Sequence, residues 1–261
     1  MPEESQHASE RASHWPSLSI VVPCYNEFDR LDVLHHSLVE FSTHWPAPLQ
    51  LILVDDGSTD TGFEKMQSLF VGIPETEILL LRYAPNHGKG YALRHGVLQA
   101  VNAYTLTMDA DVATPPSMIL QWFQSPQAIG PETIYIGSRE HRMSRIKVPG
   151  TRKWSGRLFN LFIRISSGLP YLDTQCGFKW YPTRYAQSLF DNLITFGWAH
   201  DIELLWKARK AGWKIQEMPV DWDHQDNSKI RLLSDGWKMG IEVIRLRWYF
   251  WKKSLQKAFQ R

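Results

Sequence analysis

The sequence predicts an α/β protein built on a mostly parallel, doubly wound sheet flanked by helices, and three observations lead there. From Leu18 onward, short and continuously apolar runs alternate with helical stretches. Such runs suit strands buried on both faces and joined by right-handed crossovers. Polar, chemistry-bearing residues follow those runs directly, at PCYNE, DDGSTD, NHGKG and DADVATP, which is the edge where parallel sheets bind ligands. Finally, 261 residues with a formal charge of only +2 are enough chain for a sizeable core, without a field that would draw the whole molecule onto nucleic acid.

The elements follow in order. Residues 1–16, MPEESQHASERASHWP, are polar and lack an apolar h-region, so they read as a disordered arm and not as a signal peptide, and a cytoplasmic setting is expected. LSIVVP is the first strand, Asp29 to Phe41 a helix, LQLILVDD the second strand, Asp60 to Phe70 a helix and EILLLRY the third strand. Another helix follows Gly90, YTLTM runs into Asp109 and Asp111, and TIYIGS ends at Arg139. A basic, Gly/Pro-punctuated segment, REHRMSRIKVPGTRK, then precedes an apolar helix from about Trp154 to Ser166. HDIELLWKARKAG is a helix closed by Gly212, KIQEMPV a short strand and WDHQDNSKI a loop. Past Ser234, apolar residues including Trp237, Ile241, Ile244, Trp248 and Leu255 recur every three or four positions with cations opposite, an amphipathic helix. The organisation expected is one unit over 17–231 and a basic helix over 232–261. No run reaches the roughly 20 apolar residues of a spanning helix, so membrane contact is expected to be peripheral.

Two cysteines without ligand spacing argue against a disulfide scaffold or a zinc site. Twelve Trp suit core packing, ring-gripping sites or a membrane interface. Asp109 and Asp111, two apart at a strand end, can turn toward one hard cation, or can belong to a solvated turn closed by Thr-Pro-Pro. Asp55 and Asp56 can accept hydrogen bonds from a ribose or a base, or Asp56 or Asp60 can cap the next helix. Pro23, Tyr25, Asn26 and Glu27 offer a flat ring and polar groups that suit a nucleoside. Asn86, Lys89 and Gly90 lie where a helix start could meet phosphate, although neither a P-loop nor a GxGxxG pattern is present. Arg139, Arg142, Arg145, Lys147, Arg152 and Lys153 form either a phosphate-holding loop or a solvated one. Asp201 opens a helix and is either a macrodipole partner or a general base.

VVPCYNE, LVDDGSTD, NHGKGYAL, MDADVATP, GSR and DTQCGFKWY, in that order between about Leu18 and Arg231, resemble the family 2 glycosyltransferases of GT-A fold. The chain looks most like the dolichyl-phosphate β-glucosyltransferase branch and its bacterial relatives, cousins of dolichyl-phosphate mannose synthase. DTQCGFK, the Asp-Ile-Glu-Leu-Leu after Trp198 and the Asn-Ser-Lys of residues 227–229 carry this narrower likeness. The resemblance implies that Pro23, Tyr25, Glu27, Val54, Asp55 and Asp56 contact the nucleoside, with Asn26, Asn86, Lys89, Gly90, Asp109 and Ala110 completing the donor site. Asp109 and Asp111 match the DxD pair that holds Mg2+ or Mn2+. Arg139 and Arg152 match basic positions near the phosphates, and Lys229 matches a late Ser-Lys pair. Mannose synthase relatives carry Gln two residues after the second Asp, where this chain has Ala113, which favours a UDP-sugar over GDP-mannose.

The function expected from the resemblance is a metal-dependent, inverting transfer of a sugar, glucose from UDP-glucose foremost, onto a polyprenyl or dolichyl phosphate. Such an acceptor is already an anion and needs cations and positioning, not a strong base. Two alternatives stay open: a sugar-hydroxyl acceptor with Asp201 as general base, and a nucleotide-sugar-binding module without turnover. The basic C-terminal helix could lie on an anionic membrane surface or pack on the core. A nucleic-acid partner is not expected.

Overall fold

A computed structural model describes residues 15–125, 129–147, 160–223, 240–250 and 252. Its centre is a seven-stranded sheet of order β3-β2-β1-β4-β7-β5-β8. The strands are β1 (Leu18–Cys24), β2 (Leu49–Asp56), β3 (Thr76–Tyr83), β4 (Tyr104–Thr107), β5 (Thr133–Ser138), β7 (Lys179–Pro182) and β8 (Lys214–Pro219). Strands β6 (Arg145–Lys147) and β9 (Asp221–Asp223) pair separately. Helices α1 (Leu31–His44), α2 (Gly62–Leu69), α3 (Lys89–Val97), α4 (Met118–Gln124), α5 (Thr183–Asp191) and α6 (His200–Lys210) flank the sheet.

The alternation of side chains along each strand feeds two cores. Leu18, Ile20 and Val22 of β1 pack with Leu34, Leu38 and Phe41 of α1, Met66 of α2 and Trp122 of α4. Val21, between them, joins Val97 of α3, Phe190 of α5 and Leu205 of α6 on the other face. Both faces are covered, and for that reason β1 and β2 read as unbroken apolar runs. Two polar exceptions inside these strands satisfy each other: the Ser19 hydroxyl donates to Gln50 Oε1 at 2.7 Å, and the Gln50 amide donates to Glu77 Oε1 at 3.0 Å.

Several expectations need correction. EILLLRY is not a doubly buried strand, because β3 is the sheet edge and is only partly covered. The helix expected from Asp29 begins as a 3-10 turn, Phe28–Arg30. WDHQDNSKI is not all loop, since Asp221–Asp223 is β9. Residues 160–167 and 240–250 are helical, while the earlier part of the Trp154 helix and most of 232–261 lie outside the described residues. Gly212 does end α6, with φ +77° and its N–H donating to Arg209 O, a left-handed stop that glycine adopts without strain. Among the described residues no helix is long and apolar enough to cross a membrane.

One departure from an all-parallel sheet positions the site. β7 runs antiparallel to both neighbours, β4 and β5. Its first residue, Lys179, pairs with Thr107, the last of β4, so the chain just before β7 passes over the carboxyl edge of the parallel strands. Residues 173–178 are thereby delivered to the edge where β1, β2, β4, β5 and β8 end.

Candidate active site

At the β1 and β2 ends, the chain builds its own scaffold first. Asn26 takes a left-handed φ of +53°, accessible to asparagine, and its Oδ1 accepts from Thr59 N at 2.8 Å while its N–H donates to Ser58 Oγ at 2.9 Å. That ties the two strand ends together and leaves Tyr25 38% exposed at the cleft mouth. Glu27 pairs with Arg30 at 2.9 Å, Pro23 lies within β1, and Val54 is wholly buried. Asp55 is buried; its Oδ1 accepts from Ser58 N at 3.3 Å, and Arg82 Nε stands 3.2 Å from Oδ2 without hydrogen-bond alignment.

Asp56 is engaged more fully. Its carboxylate accepts from the Tyr83 hydroxyl (2.8 Å), Asn86 Nδ2 (2.8 Å), His87 N (2.8 Å) and Gly88 N (2.9 Å). It therefore fixes the 83–88 turn that starts α3 and does not cap α2; Asp60 instead accepts from Gly62 N at 3.0 Å. Burial and the adjacent Asp56 carboxylate push the Tyr83 phenol far above its ordinary range, so it stays a donor. Gly90 N donates to Phe196 O at 2.8 Å, which docks the segment before α6 onto α3.

Beyond β4, Asp109 and Asp111 sit on either side of the buried Ala110. Val112 adopts φ +55°, unusual for a β-branched residue and of a kind that concentrates at functional sites. Lys89 Nζ lies 2.5 Å from Asp109 Oδ1. Burial works to lower the Lys89 ammonium, but Asp109, Asp201 and Asp111 around it prevail and hold it above its ordinary value. Asp111 is pushed up by burial and then by the charge of Asp109, although Ala113 N donates to it at 3.0 Å. Two carboxylates crowded in this way suit a divalent cation, and hard oxygen donors suit Mg2+ or Mn2+. Gly177 adds to the fit, because a Cβ there would stand 2.5 Å from Asp109 Oδ2. Among the described residues no group of three metal-binding side chains occurs, so water or ligand oxygens would complete the shell around Asp109 and Asp111. Bound there, such an ion would neutralise charge on a departing diphosphate.

The far wall holds two buried ion pairs. Arg139 donates Nε and Nη2 to Asp173 at 2.7 and 3.0 Å, with its backbone N–H adding a third bond at 3.0 Å. Burial opposes ionisation of Asp173, yet Arg139 keeps its carboxyl below the ordinary range. Asp201, 5% exposed, receives Lys179 Nζ at 2.6 Å, and the same ammonium donates to Cys176 O at 2.5 Å. Burial would raise the Asp201 carboxyl, but His200, Lys179 and Lys89 lower it on balance. His200 is itself buried, which lowers its imidazole, and its Nδ1 lies 2.7 Å from Gly197 O.

Of the residues singled out from sequence, the fold brings Tyr25, Asp55, Asp56, Lys89, Asp109, Asp111, Arg139 and Asp201 to this one edge. Arg145 and Lys147 instead face Asp221 and Asp223 at 4.0 and 3.8 Å. Arg152, Lys153 and Lys229 lie outside the described residues. Sequence reading missed Asp173, Gly177 and Lys179 as individual residues. The signal for Lys179 was present: a lysine opening the otherwise apolar KWY needs a buried partner.

Residues 19–190 match the model of Glycosyl transferase family 2. A dolichyl-phosphate beta-glucosyltransferase of Dictyostelium discoideum is 30% identical over 243 residues, 89% of this chain and 74% of that protein. Another, of Trichomonas vaginalis, is 32% identical over 89% of this chain and 71% of its own length. Among solved structures, glucosyl-3-phosphoglycerate synthase from Mycobacterium tuberculosis in complex with UDP superposes with a TM-score of 0.61 at 18% identity, covering 91% of this chain and 80% of that one. A complex of the same synthase with Mn2+, UDP and glucosyl-3-phosphoglycerate gives 0.60 over the same shares. At that identity the likeness is one of fold, and together with the family match it makes this chain a member of glycosyltransferase family 2, an enzyme of GT-A fold.

Proposed function

We propose that the enzyme transfers glucose from UDP-glucose to a polyprenyl or dolichyl phosphate, with inversion at the anomeric carbon and with Mg2+ or Mn2+ held by Asp109 and Asp111. The observation that carries this reading is the state of Asp201. Paired with buried Lys179 and held below the ordinary carboxylate range, it is a weak base, and removing a proton from a sugar hydroxyl asks for a stronger one. A phosphate acceptor asks for none: its anionic oxygen attacks C1, the bond from C1 to the UDP phosphate breaks, and UDP leaves with the bonding pair. Lys89 stands beside the developing diphosphate charge. The names of the relatives, dolichyl-phosphate beta-glucosyltransferase, support the acceptor, the sugar and the β product. Ala113, buried, with its N–H donating to Asp111 and its carbonyl accepting from Asp223 N at 2.9 Å, offers no side-chain ligand to the ion and supports a UDP donor. Arg152 and Lys229 remain the cations proposed for the acceptor phosphate.

Two described helices support a membrane-bound acceptor. Ile163, Val243 and Leu246 face the core, whereas Leu161, Phe162, Ile165, Ile244, Trp248 and Tyr249 are exposed on the outward face. Gly240 packs against the Phe162 ring, so the helices adjoin, and Arg164, Arg245, Arg247 and Lys252 are exposed among them. Apolar side chains rimmed by cations match an anionic bilayer surface.

The test is a panel of UDP- and GDP-sugars with Mn2+ and a short polyprenyl phosphate, read as nucleoside diphosphate release. UDP release that needs both UDP-glucose and the lipid phosphate is the expected result. Turnover only with sugar-hydroxyl acceptors, abolished at every pH by Asp201→Asn, overturns it.

A further inference from the structure

Behind Asp109 lies a recess with a free volume of about 30 Å3, bordered by Thr114, Arg139, Gln175, Phe178 and Trp222. By that measure it holds one or two waters, which is the size of a hydroxyl group or two and not of a whole sugar ring. Two polar atoms buried there have no hydrogen-bond partner among the described residues: Gln175 Nε2 and Thr114 Oγ1. Buried polar atoms left this way are uncommon and costly unless a ligand completes them. The charges around the recess are already matched. Arg139 is held bidentately by Asp173, and Asp109 is paired with Lys89. A lining of an amide, a hydroxyl and the edge of a guanidinium already compensated by Asp173 suits a neutral, oxygen-bearing group better than a free anion. Phe178 and Trp222 supply an apolar wall against which the carbon face of a sugar can rest.

We infer that this recess receives a hydroxyl of the donor's hexosyl group, with the Gln175 amide donating to it and the Thr114 hydroxyl completing its bonding. Gln175 and Thr114 are then residues that determine which sugar is used. Arg139 becomes a positioning residue: its pair with Asp173, whose Oδ1 also accepts from Gln175 N at 3.0 Å, fixes the backbone that aims Gln175. The inference rests on the sugar-nucleotide reading above, but it does not depend on the acceptor.

The experiment compares UDP-glucose with its four single-deoxy analogues in the wild type, Gln175→Ala and Thr114→Val. A site built to bond a hydroxyl discriminates strongly against the analogue lacking it. The wild type is expected to lose at least 100-fold in kcat/KM on one analogue. Each variant should fall 10- to 100-fold on UDP-glucose, lose most of that discrimination, and bind UDP with unchanged affinity and an unchanged unfolding midpoint. Equal discrimination in wild type and variants, or UDP affinity falling as far as that for UDP-glucose, overturns the inference and leaves the recess as a water site. If the wild type turns over no UDP-glucose, the functional reading above fails. The recess is then read by calorimetry, where Gln175→Ala must erase the affinity difference between UDP and whichever UDP-sugar the wild type prefers; a difference that persists overturns the inference.

Discussion

Asp201 and Lys179 set the terms at the scale of single residues. Removing one partner of a buried ion pair costs about 3–5 kcal/mol, because the other charge is left uncompensated. Asp201→Asn therefore loses stability as well as any catalytic effect, and activities must be compared on folded protein. The sign with pH follows from the lowered carboxyls of Asp201 and Asp173. Each contributes stability above its unfolded pKa of about 3.9, and that contribution is lost as pH falls through the lower folded value. The deficit of Asp201→Asn relative to wild type is thus expected to be full at pH 7 and to shrink below about pH 4, as thermal melts across pH will register. Gly177→Ala is a different case. Its Cβ would meet Asp109 Oδ2 at 2.5 Å and a second carboxylate oxygen at 2.7 Å, so the aspartate must shift. Displacements of that kind cost about 100-fold in rate, and Mn2+ affinity measured by calorimetry should fall with activity.

Elements explain why parts of the site were legible and parts were not. The ends of β2 and β4 announce themselves, because an apolar run that stops at aspartates has no packing reason to do so, and β1 likewise runs straight into Tyr25, Asn26 and Glu27. β7 does not. KWYP is four residues long and its direction depends on pairing with β4 and β5, which no local pattern encodes. Asp173, Gly177 and Lys179 were hidden for that reason, although the motif containing them was recognised as a unit. The segment before α6 was equally silent. Glu203, fully buried on α6, accepts from Ile194 N (2.8 Å), Thr195 N (2.7 Å) and Thr195 Oγ1 (2.6 Å) and pairs with Lys207. This clamp presses Phe196 against Gly88 and Gly90 and presents Trp198, 40% exposed, 5.8 Å from Lys89 Nζ. Glu203→Gln replaces one of the two acceptor oxygens by a donor and leaves one of the backbone N–H groups unmatched, a loss of about 1–3 kcal/mol. We expect faster hydrogen exchange at Ile194 and Thr195 and a raised KM for the sugar nucleotide.

The whole molecule combines a cleft along one sheet edge with an apolar, basic face on the helices of residues 160–167 and 240–250. Near-neutral net charge means that any attraction to a membrane is local to that face. Vesicles containing phosphatidylserine should therefore bind the protein in sedimentation assays, and zwitterionic vesicles should bind it weakly. Trp248→Glu with Ile244→Glu is expected to cut binding at least tenfold while leaving turnover of a water-soluble acceptor analogue unchanged. The sequence pattern pointed to the C-terminal helix alone; the partnership with residues 160–167 needed three dimensions. The position of β7 carries one more consequence, for biosynthesis. β4 ends at Thr107, yet the strand that covers its open edge arrives some seventy residues later, at Lys179. Until then a growing chain presents an unpaired β4 edge, a template for pairing with other chains. The strand that delivers Gly177 and Gln175 to the cleft also closes the sheet against aggregation, so mutations that delay its insertion would reduce the yield of folded enzyme before they touched its chemistry.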